Sequence, residues 1–301
     1  MTQFTIQAAL SWAKDTLRTA IEPQWQDLAT PELDAEILLA AVLKKTRTEL
    51  FTHPESIVPT LNLERFQKFI ARRNGGEPIA YILGKKEFFG LEFFVDKNVL
   101  IPRPETEILG EKVLSFLKPY DASTILDIGT GSGIIAIALA KNLSEKHQLY
   151  ALDISPAALR IAQKNAVAFR VNSHIEFICS DLLKDFIFPT TPQSPLVIVA
   201  NLPYVPEGDE LPPTVRDFEP ASALFSGRAG TDIYQRFFTE FAAGIFVQNS
   251  KKVFCDICFF EFHLPQQPFW QKFLPTLFPD ATLEFFSDLS GKTRFGILRI
   301  S

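Results

Sequence analysis

Four short constellations in this 301-residue sequence carry residue types that can do chemistry together. The first is Asp127-Ile128-Gly129-Thr130-Gly131-Ser132-Gly133, set between the apolar run Ile125 to Ile128 and an apolar helical stretch. Glycines there let a tight strand-to-helix turn bring bare backbone N–H groups against a ligand. A nicotinamide dinucleotide turn needs G-x-G-x-x-G, and its third glycine position is Ile134, so the spacing is G-x-G-x-G instead. The second is Asp153, twenty residues after Gly133 at the end of the next apolar run, where a carboxylate can bind both hydroxyls of a ribose. Glycine turn and carboxylate together specify a nucleoside-containing cofactor. The third, Ser180-Asp181-Leu182, offers an acceptor for an exocyclic amine at Asp181 and a cover for one ring face at Leu182. Taken singly, an acid after a strand is more often a cap or turn residue.

The fourth constellation decides the class of chemistry. The apolar run Leu196 to Ala200 leads straight into Asn201-Leu202-Pro203-Tyr204. That tetrapeptide can present two acceptors, the Asn201 side-chain carbonyl and the Leu202 backbone carbonyl, beside the face of Tyr204. Pro203 biases Leu202 toward an extended conformation that aims its carbonyl outward. Those parts fit a planar NH2 group, whose nitrogen is a poor nucleophile because its lone pair is delocalised. Accepting both N–H bonds orients the nitrogen and favours charge build-up on it. A methyl on a sulfonium is already electrophilic, so no strong base is required.

These strand ends need a frame that aligns them. Residues 1–84 read as helices: Thr30-Pro31-Glu32 starts one with a threonine cap, followed by Leu33, Ile37, Leu38, Val42 and Leu43 near helical spacing. Leu63, Phe66, Phe69 and Ile70 form a second series, with Arg72 and Arg73 in its last turn and Gly75-Gly76 beyond. Residues 85–104 turn aromatic and β-branched around Gly90 and read as a β-hairpin linker. Over residues 105–301 apolar strands alternate with helices, including a helix from Asp232 to Val247 and a strand across residues 251–262. That alternation implies an α/β fold with a doubly wound, mostly parallel sheet and an antiparallel edge at the C-terminus. Proline-rich residues 203–220 follow a strand directly and read as a functional loop.

The four strand ends resemble those of class I S-adenosylmethionine-dependent methyltransferases of the N-x-P-Y subclass. Glu77-Pro78-Ile79-Ala80-Tyr81-Ile82-Leu83-Gly84, Phe88-Phe89-Gly90 and Ile101-Pro102-Arg103-Pro104-Glu105-Thr106-Glu107 resemble the signature of the HemK/PrmC family. Its members are protein-(glutamine-N5) methyltransferases that modify peptide chain release factors. Leu33-Asp34-Ala35-Glu36-Ile37-Leu38-Leu39, Glu219-Pro220-Ala221-Ser222-Ala223-Leu224, the stretch from Glu261 to Gln266 and that from Asp288 to Arg294 are similar as well. The resemblance implies a seven-stranded class I sheet with a small N-terminal helical domain joined by a β-hairpin. It implies S-adenosylmethionine as cofactor: Gly129, Thr130, Gly131, Ser132 and Gly133 hold the methionine part, Asp153 the ribose, and Asp181 with Leu182 the adenine. Asn201, Leu202, Pro203 and Tyr204 are the implied catalytic and acceptor-binding residues, with Asn201 also facing the cofactor. The implied partners are class I release factors, modified at the glutamine of a Gly-Gly-Gln loop and docked by the helical domain. Leu202 replaces the family's usual proline, and only its backbone carbonyl is needed.

Composition narrows the alternatives. With 30 Lys+Arg against 35 Asp+Glu the net charge is −5, which disfavours a long duplex nucleic acid as partner. No basic leader precedes an apolar core at the N-terminus, no stretch approaches a membrane span, and three cysteines form no disulfide framework. The expectation is a cytoplasmic protein. Cys255-x-x-Cys258 lies in an apolar strand and reads as core, and His53, His147, His174 and His263 have no metal spacing, so no metal is expected. Most of the 29 phenylalanines read as core. An adenine amine in RNA or DNA is the competing acceptor, a glutamine of a ribosomal protein is another, and a non-catalytic cofactor-binding module is the reading of a different class.

Overall fold

Local signals in the first part of the chain become helices with identifiable ends. The structure is a computed structural model that describes residues 4–20, 30–184, 186–187, 195–243, 247–248, 251–252 and 255–300. It forms two compact units, Met1–Lys85 with Glu210–Glu219, and Lys86–Asp209 with Pro220–Ser301. The first contains α1 (Ile6–Ala20), α2 (Pro31–Leu43), α3 (Arg47–Thr52), α4 (Thr60–Asn74) and α5 (Ile79–Leu83). Leu17, Leu38, Leu39, Leu50, Phe66 and Ile70 are buried between them. A reciprocal cap starts α3: the Glu49 N–H donates to Thr46 Oγ1 and the Thr46 N–H to Glu49 Oε2. Thr30 does not cap α2 with its side chain, which donates instead to Asp34 Oδ1. Asp34 is buried where the apolar spacing placed Leu33, because Arg73 of α4 donates to its Oδ2 at 2.6 Å.

The second unit begins with a hairpin of β1 (Lys85–Phe88) and β2 (Leu91–Phe94), turned at Phe89 and Gly90, both at positive φ. Phe88 and Phe93 bury themselves in the core. Asn165 ties the hairpin down, accepting from the Phe94 N–H and donating to the carbonyls of Phe94 and Ser132. Then follow α6 (Thr106–Leu117), β3 (Thr124–Ile128), α7 (Ile134–Asn142), β4 (Gln148–Asp153), α8 (Pro156–Ala168), β5 (Ile175–Cys179) and β6 (Leu196–Ala200). A short turn of helix, α9 (Pro213–Arg216), belongs to the first unit, after which the second resumes with α10 (Asp232–Ala242), β7 (Val247–Gln248), β8 (Lys251–Lys252), β9 (Ile257–Glu261), α11 (Gln267–Leu277), β10 (Thr282–Ser287) and β11 (Thr293–Arg299).

Seven strands form one sheet in the order β10-β11-β9-β6-β3-β4-β5, in which only β11 runs against the others. β3, β6 and β9 are buried along their whole length, as central parallel strands covered on both faces must be. The expected helix to Val247 ends earlier, at Ala242, and Val247 pairs antiparallel with Lys252. The long expected strand over 251–262 is likewise two elements; Val253 and Phe254 lie outside the described residues, and the sheet strand starts at Ile257. Phe237, Phe238, Phe260 and Phe262 pack with Tyr234 and Trp270 in the core, where the aromatic content was expected to go.

Parallel register brings the strand ends level. Ile128 lies opposite Leu152 on one side and Ala200 on the other, Asp153 opposite Cys179, and Ala200 opposite Phe260. The chain leaves β3 toward β4 but returns to its other side as β6, and such a switch point opens a crevice beyond the carboxyl ends.

Candidate active site

The residues following β3, β4, β5 and β6, namely Gly129, Ile154, Ser180 and Asn201, reach that crevice. Gly129, Gly131 and Gly133 all have positive φ, which winds the chain from β3 into α7. The N–H groups of Gly129 and Thr130 both donate to the Leu152 carbonyl, fixing the turn to β4. A Cβ on Gly131 would meet nothing within 4 Å, so here bare backbone faces open space. A Cβ on Gly129 would lie 2.9 Å from Leu202 Cδ2. One on Gly133 would lie 2.9 Å from Ile137 Cδ1 and 3.1 Å from Ala162 Cβ, so this glycine serves helix packing.

Carboxylates stiffen the turn from behind. Asp127 is buried; its Oδ2 accepts from Thr130 Oγ1 at 2.7 Å and from the Ala136 N–H at 3.1 Å, while its Oδ1 has no partner among the described residues. Burial pushes its carboxyl up to about 6. Asp153 accepts the Gly131 N–H at 2.9 Å on one oxygen and the Ser155 N–H at 2.8 Å on the other, leaving each oxygen a further lone pair. Desolvation raises this carboxyl above the ordinary range as well. On the next strand end, Ser180 Oγ donates to the Leu182 carbonyl, and Leu182 sits at φ 55°. A leucine held in the left-handed region is strained, a condition that concentrates at functional sites. Asp181 is ion-paired with Arg236 of α10, a residue that carried no signal in the sequence.

At the end of β6, Asn201 Nδ2 donates to Thr106 Oγ1 at 3.1 Å, and no described group donates to Asn201 Oδ1 or to the Leu202 carbonyl. Leu202 has its N–H held by the Tyr234 hydroxyl, which itself donates to the Ala200 carbonyl. Its side chain is buried against Gly129, which is how leucine is accommodated at this position. Tyr204 is half-buried; its hydroxyl donates to Glu261 Oε1 at 2.9 Å and its carbonyl accepts from Gln266 Nε2 at 2.8 Å. Burial, with the Glu261 carboxylate beside it, holds the phenol well above its usual range.

One cleft at these strand ends is lined by every residue of the four constellations except Asp127, Gly133 and Tyr204. Gly133 lies beneath the turn, and Tyr204 reaches from behind Asn201 to Glu261. Thr106, Arg103, Ile154 and Arg236 also line it. Ile154 directly follows Asp153 and is 62% exposed, an apolar surface open to a flat ring. The N–H groups of Gly129, Thr130, Gly131 and Gly133 are spent within the turn, so what the cleft offers a nucleoside-bearing ligand is unhindered backbone at Gly131, spare acceptor lone pairs at Asp153 and an apolar surface at Ile154.

Strand order, glycine turn and cleft together define a class I methyltransferase, a domain class that works with a methyl donor of the S-adenosylmethionine type. Residues 8–84 match the PrmC N-terminal domain and residues 125–216 a methyltransferase domain. The chain is 39% identical over 245 residues to the release factor glutamine methyltransferase of Rhodopirellula baltica, covering 79% of each. It is 35% identical over 294 residues to the Bacillus cereus enzyme of that name, covering 96% of this chain and 97% of that one. The chain belongs to the release factor glutamine methyltransferase family. In fold it is similar to the hMettl16 catalytic domain solved in complex with MAT2A 3'UTR hairpin 1, with TM-score 0.52, 12% identity, and coverage of 89% of this chain and 91% of that one. Among the described residues no helix is long and apolar enough to cross a membrane.

Proposed function

We propose that this protein methylates the side-chain amide nitrogen, N5, of the glutamine in the Gly-Gly-Gln loop of class I release factors, with S-adenosylmethionine as methyl donor. The observation that carries the reading is the pair of acceptors at the cleft, Asn201 Oδ1 and the Leu202 carbonyl, with no donor among the described residues. Two acceptors on adjacent residues suit the two N–H bonds of a carboxamide, and relatives carrying the release factor glutamine methyltransferase name cover most of the chain.

Gly129, Thr130, Gly131 and Ser132 would hold the methionine part of the donor, with Gly133 shaping their turn. Asp153 would take the ribose hydroxyls, and Asp181 and Leu182, with Ile154, the adenine. When bound, the donor supplies a methyl already activated by its sulfonium charge. Asn201 Oδ1 and the Leu202 carbonyl would then accept hydrogen bonds from both amide N–H groups, align the nitrogen and stabilise positive charge as it forms there. Pro203 biases Leu202 toward an extended conformation, and Tyr204, outside the cleft lining, would support the acceptor site from behind Asn201. The surplus proton leaves the nitrogen to water, so no general base is needed. Residues 1–84 would dock the release factor, because one amide offers too little area for specificity.

The test is mass spectrometry of a release factor incubated with the enzyme and methyl donor. One added methyl on the Gly-Gly-Gln glutamine supports the reading. An unmodified glutamine under proven donor binding rejects it, and methyl incorporation into nucleic acid would move the acceptor to an adenine amine.

A further inference from the structure

Behind the acceptor pair lies a carboxylate that the proposed chemistry does not use. Glu261, the last residue of β9, is buried, and the register puts it one step beyond the pair Ala200–Phe260, level with Asn201. Its Oε2 accepts from Thr106 Oγ1 at 2.8 Å and its Oε1 from the Tyr204 hydroxyl at 2.9 Å. Thr106, the first residue of α6, is buried as well, and its Oγ1 is the atom that accepts from Asn201 Nδ2. Three segments far apart in sequence thus converge on one carboxyl group.

Hydrogen-bond polarity along this chain is determined from its far end. Both hydroxyls donate to the Glu261 carboxyl oxygens, so the single protons of Thr106 and Tyr204 are committed there. Thr106 Oγ1 then has only lone pairs left for Asn201, and only the NH2 end of the Asn201 amide can face them. The other end, Oδ1, is left for the cleft. A flipped amide would set Oδ1 against the Thr106 lone pairs and offer NH2 donors to the NH2 of an acceptor substrate, unfavourable on both sides. Burial raises the Glu261 carboxyl above its ordinary range, outweighing the two hydroxyl donors and the Arg294 guanidinium that favour its charged form. Arg294 is in turn held by Asp288, at 2.7 Å.

We propose that Glu261 is a positioning residue which, through the Thr106 hydroxyl, fixes the Asn201 amide with its oxygen toward the acceptor. The proposal rests on the amide-acceptor reading above and adds the residues that give Asn201 its polarity. The same carboxyl group anchors Tyr204, so one buried group orients both Asn201, which lines the cleft, and Tyr204 behind it.

The test uses full-length protein carrying Thr106→Val, which keeps the shape and deletes the hydroxyl, beside Thr106→Ser, which keeps the hydroxyl. Each variant is assayed for kcat and KM with a release factor, for methyl-donor affinity by calorimetry and for melting temperature. Thr106→Val is expected to lose on the order of tenfold in kcat, the factor that one net hydrogen bond represents, with donor affinity unchanged within about twofold. Thr106→Ser is expected to stay within about threefold of the wild type, since its hydroxyl bridges the same partners. Should Thr106→Val melt early, Glu261→Gln decides the matter. Its Oε1 still accepts from Thr106 while its NH2 turns to the Tyr204 oxygen, so kcat should fall by less than about fivefold. A Thr106→Val enzyme as fast as the wild type, a Thr106→Ser enzyme as slow as Thr106→Val, or a folded Glu261→Gln enzyme without activity would each overturn the proposal. A wild type that binds donor yet leaves the release factor unmodified would instead reject the acceptor reading, and the proposal with it.

Discussion

Replacing Tyr234 by phenylalanine removes one oxygen atom from the centre of the second unit. The ring is fully buried, stacked on Phe238 with centroids 5.9 Å apart and edge-on to Trp270 at 5.7 Å, and all of that packing survives the change. Two hydrogen bonds do not: the Leu202 N–H loses its acceptor at 3.1 Å, and the Ala200 carbonyl loses its donor at 2.9 Å. Leu202 is buried, so water does not replace the lost acceptor, and a stranded N–H costs about 1–3 kcal/mol. For a unit of this size each kcal/mol shifts the melting temperature by about 2–4 °C, so Tyr234→Phe should melt about 2–12 °C lower. Because the freed peptide belongs to the residue whose carbonyl is proposed to hold the acceptor amide, kcat should fall while donor affinity holds. Differential scanning calorimetry and methyl incorporation into a release factor read the two effects. A melting temperature within about 1 °C of the wild type, together with an unchanged rate, would refute the reasoning.

Other perturbations separate the roles of neighbouring residues. Gly131→Ala places its Cβ in open space at the cleft and should weaken donor binding in a titration, whereas Gly129→Ala drives its Cβ toward Leu202 Cδ2 at 2.9 Å and should slow transfer. Both carry about 1–2 kcal/mol of left-handed backbone strain, visible in urea unfolding. Asp127 is raised from 3.8 to about 6, so the folded state holds an extra proton between those values. Stability therefore falls as pH rises through that window and the full penalty, about 3 kcal/mol, applies above it. Asp127→Asn removes this titration and keeps an acceptor for Thr130 and Ala136, so its stability advantage over the wild type should be largest above pH 6 and shrink toward acid. Thermal scans of both proteins across that range check it. In the helical unit, Arg73→Ala leaves buried Asp34 without its cation and should cost about 3–5 kcal/mol in chemical unfolding, while Asp34→Asn in the same background should recover part of the loss.

Features that depend on neighbours along the chain were legible before any coordinates. The largely apolar runs that form β3 and β6, the G-x-G-x-G turn, the acid that ends β4 and the tetrapeptide after β6 are local patterns, and parallel register alone brings them to one cleft. Ser155-Pro156 starts α8 because serine accepts the Ala158 N–H and proline fits the first helical position. What pattern could not carry were pairings across long separations. Thr106 and Glu261 meet over 155 residues, Arg236 and Asp181 over 55, and no periodicity links them. Asp34 misled the helix pattern because its burial depends on Arg73, 39 residues on. The stretch around Val247 read as helix and strand from its apolar content, yet a short antiparallel pair, Val247 with Lys252 and Gln248 with Lys251, interrupts both.

The most direct test of the account is a crystal structure of the protein with demethylated donor product and a peptide containing Gly-Gly-Gln. The account predicts the glutamine side-chain nitrogen within hydrogen-bonding distance of both Asn201 Oδ1 and the Leu202 carbonyl, with Asn201 Nδ2 still on Thr106. A peptide glutamine seated elsewhere, with those two oxygens facing solvent in a filled cleft, would contradict it.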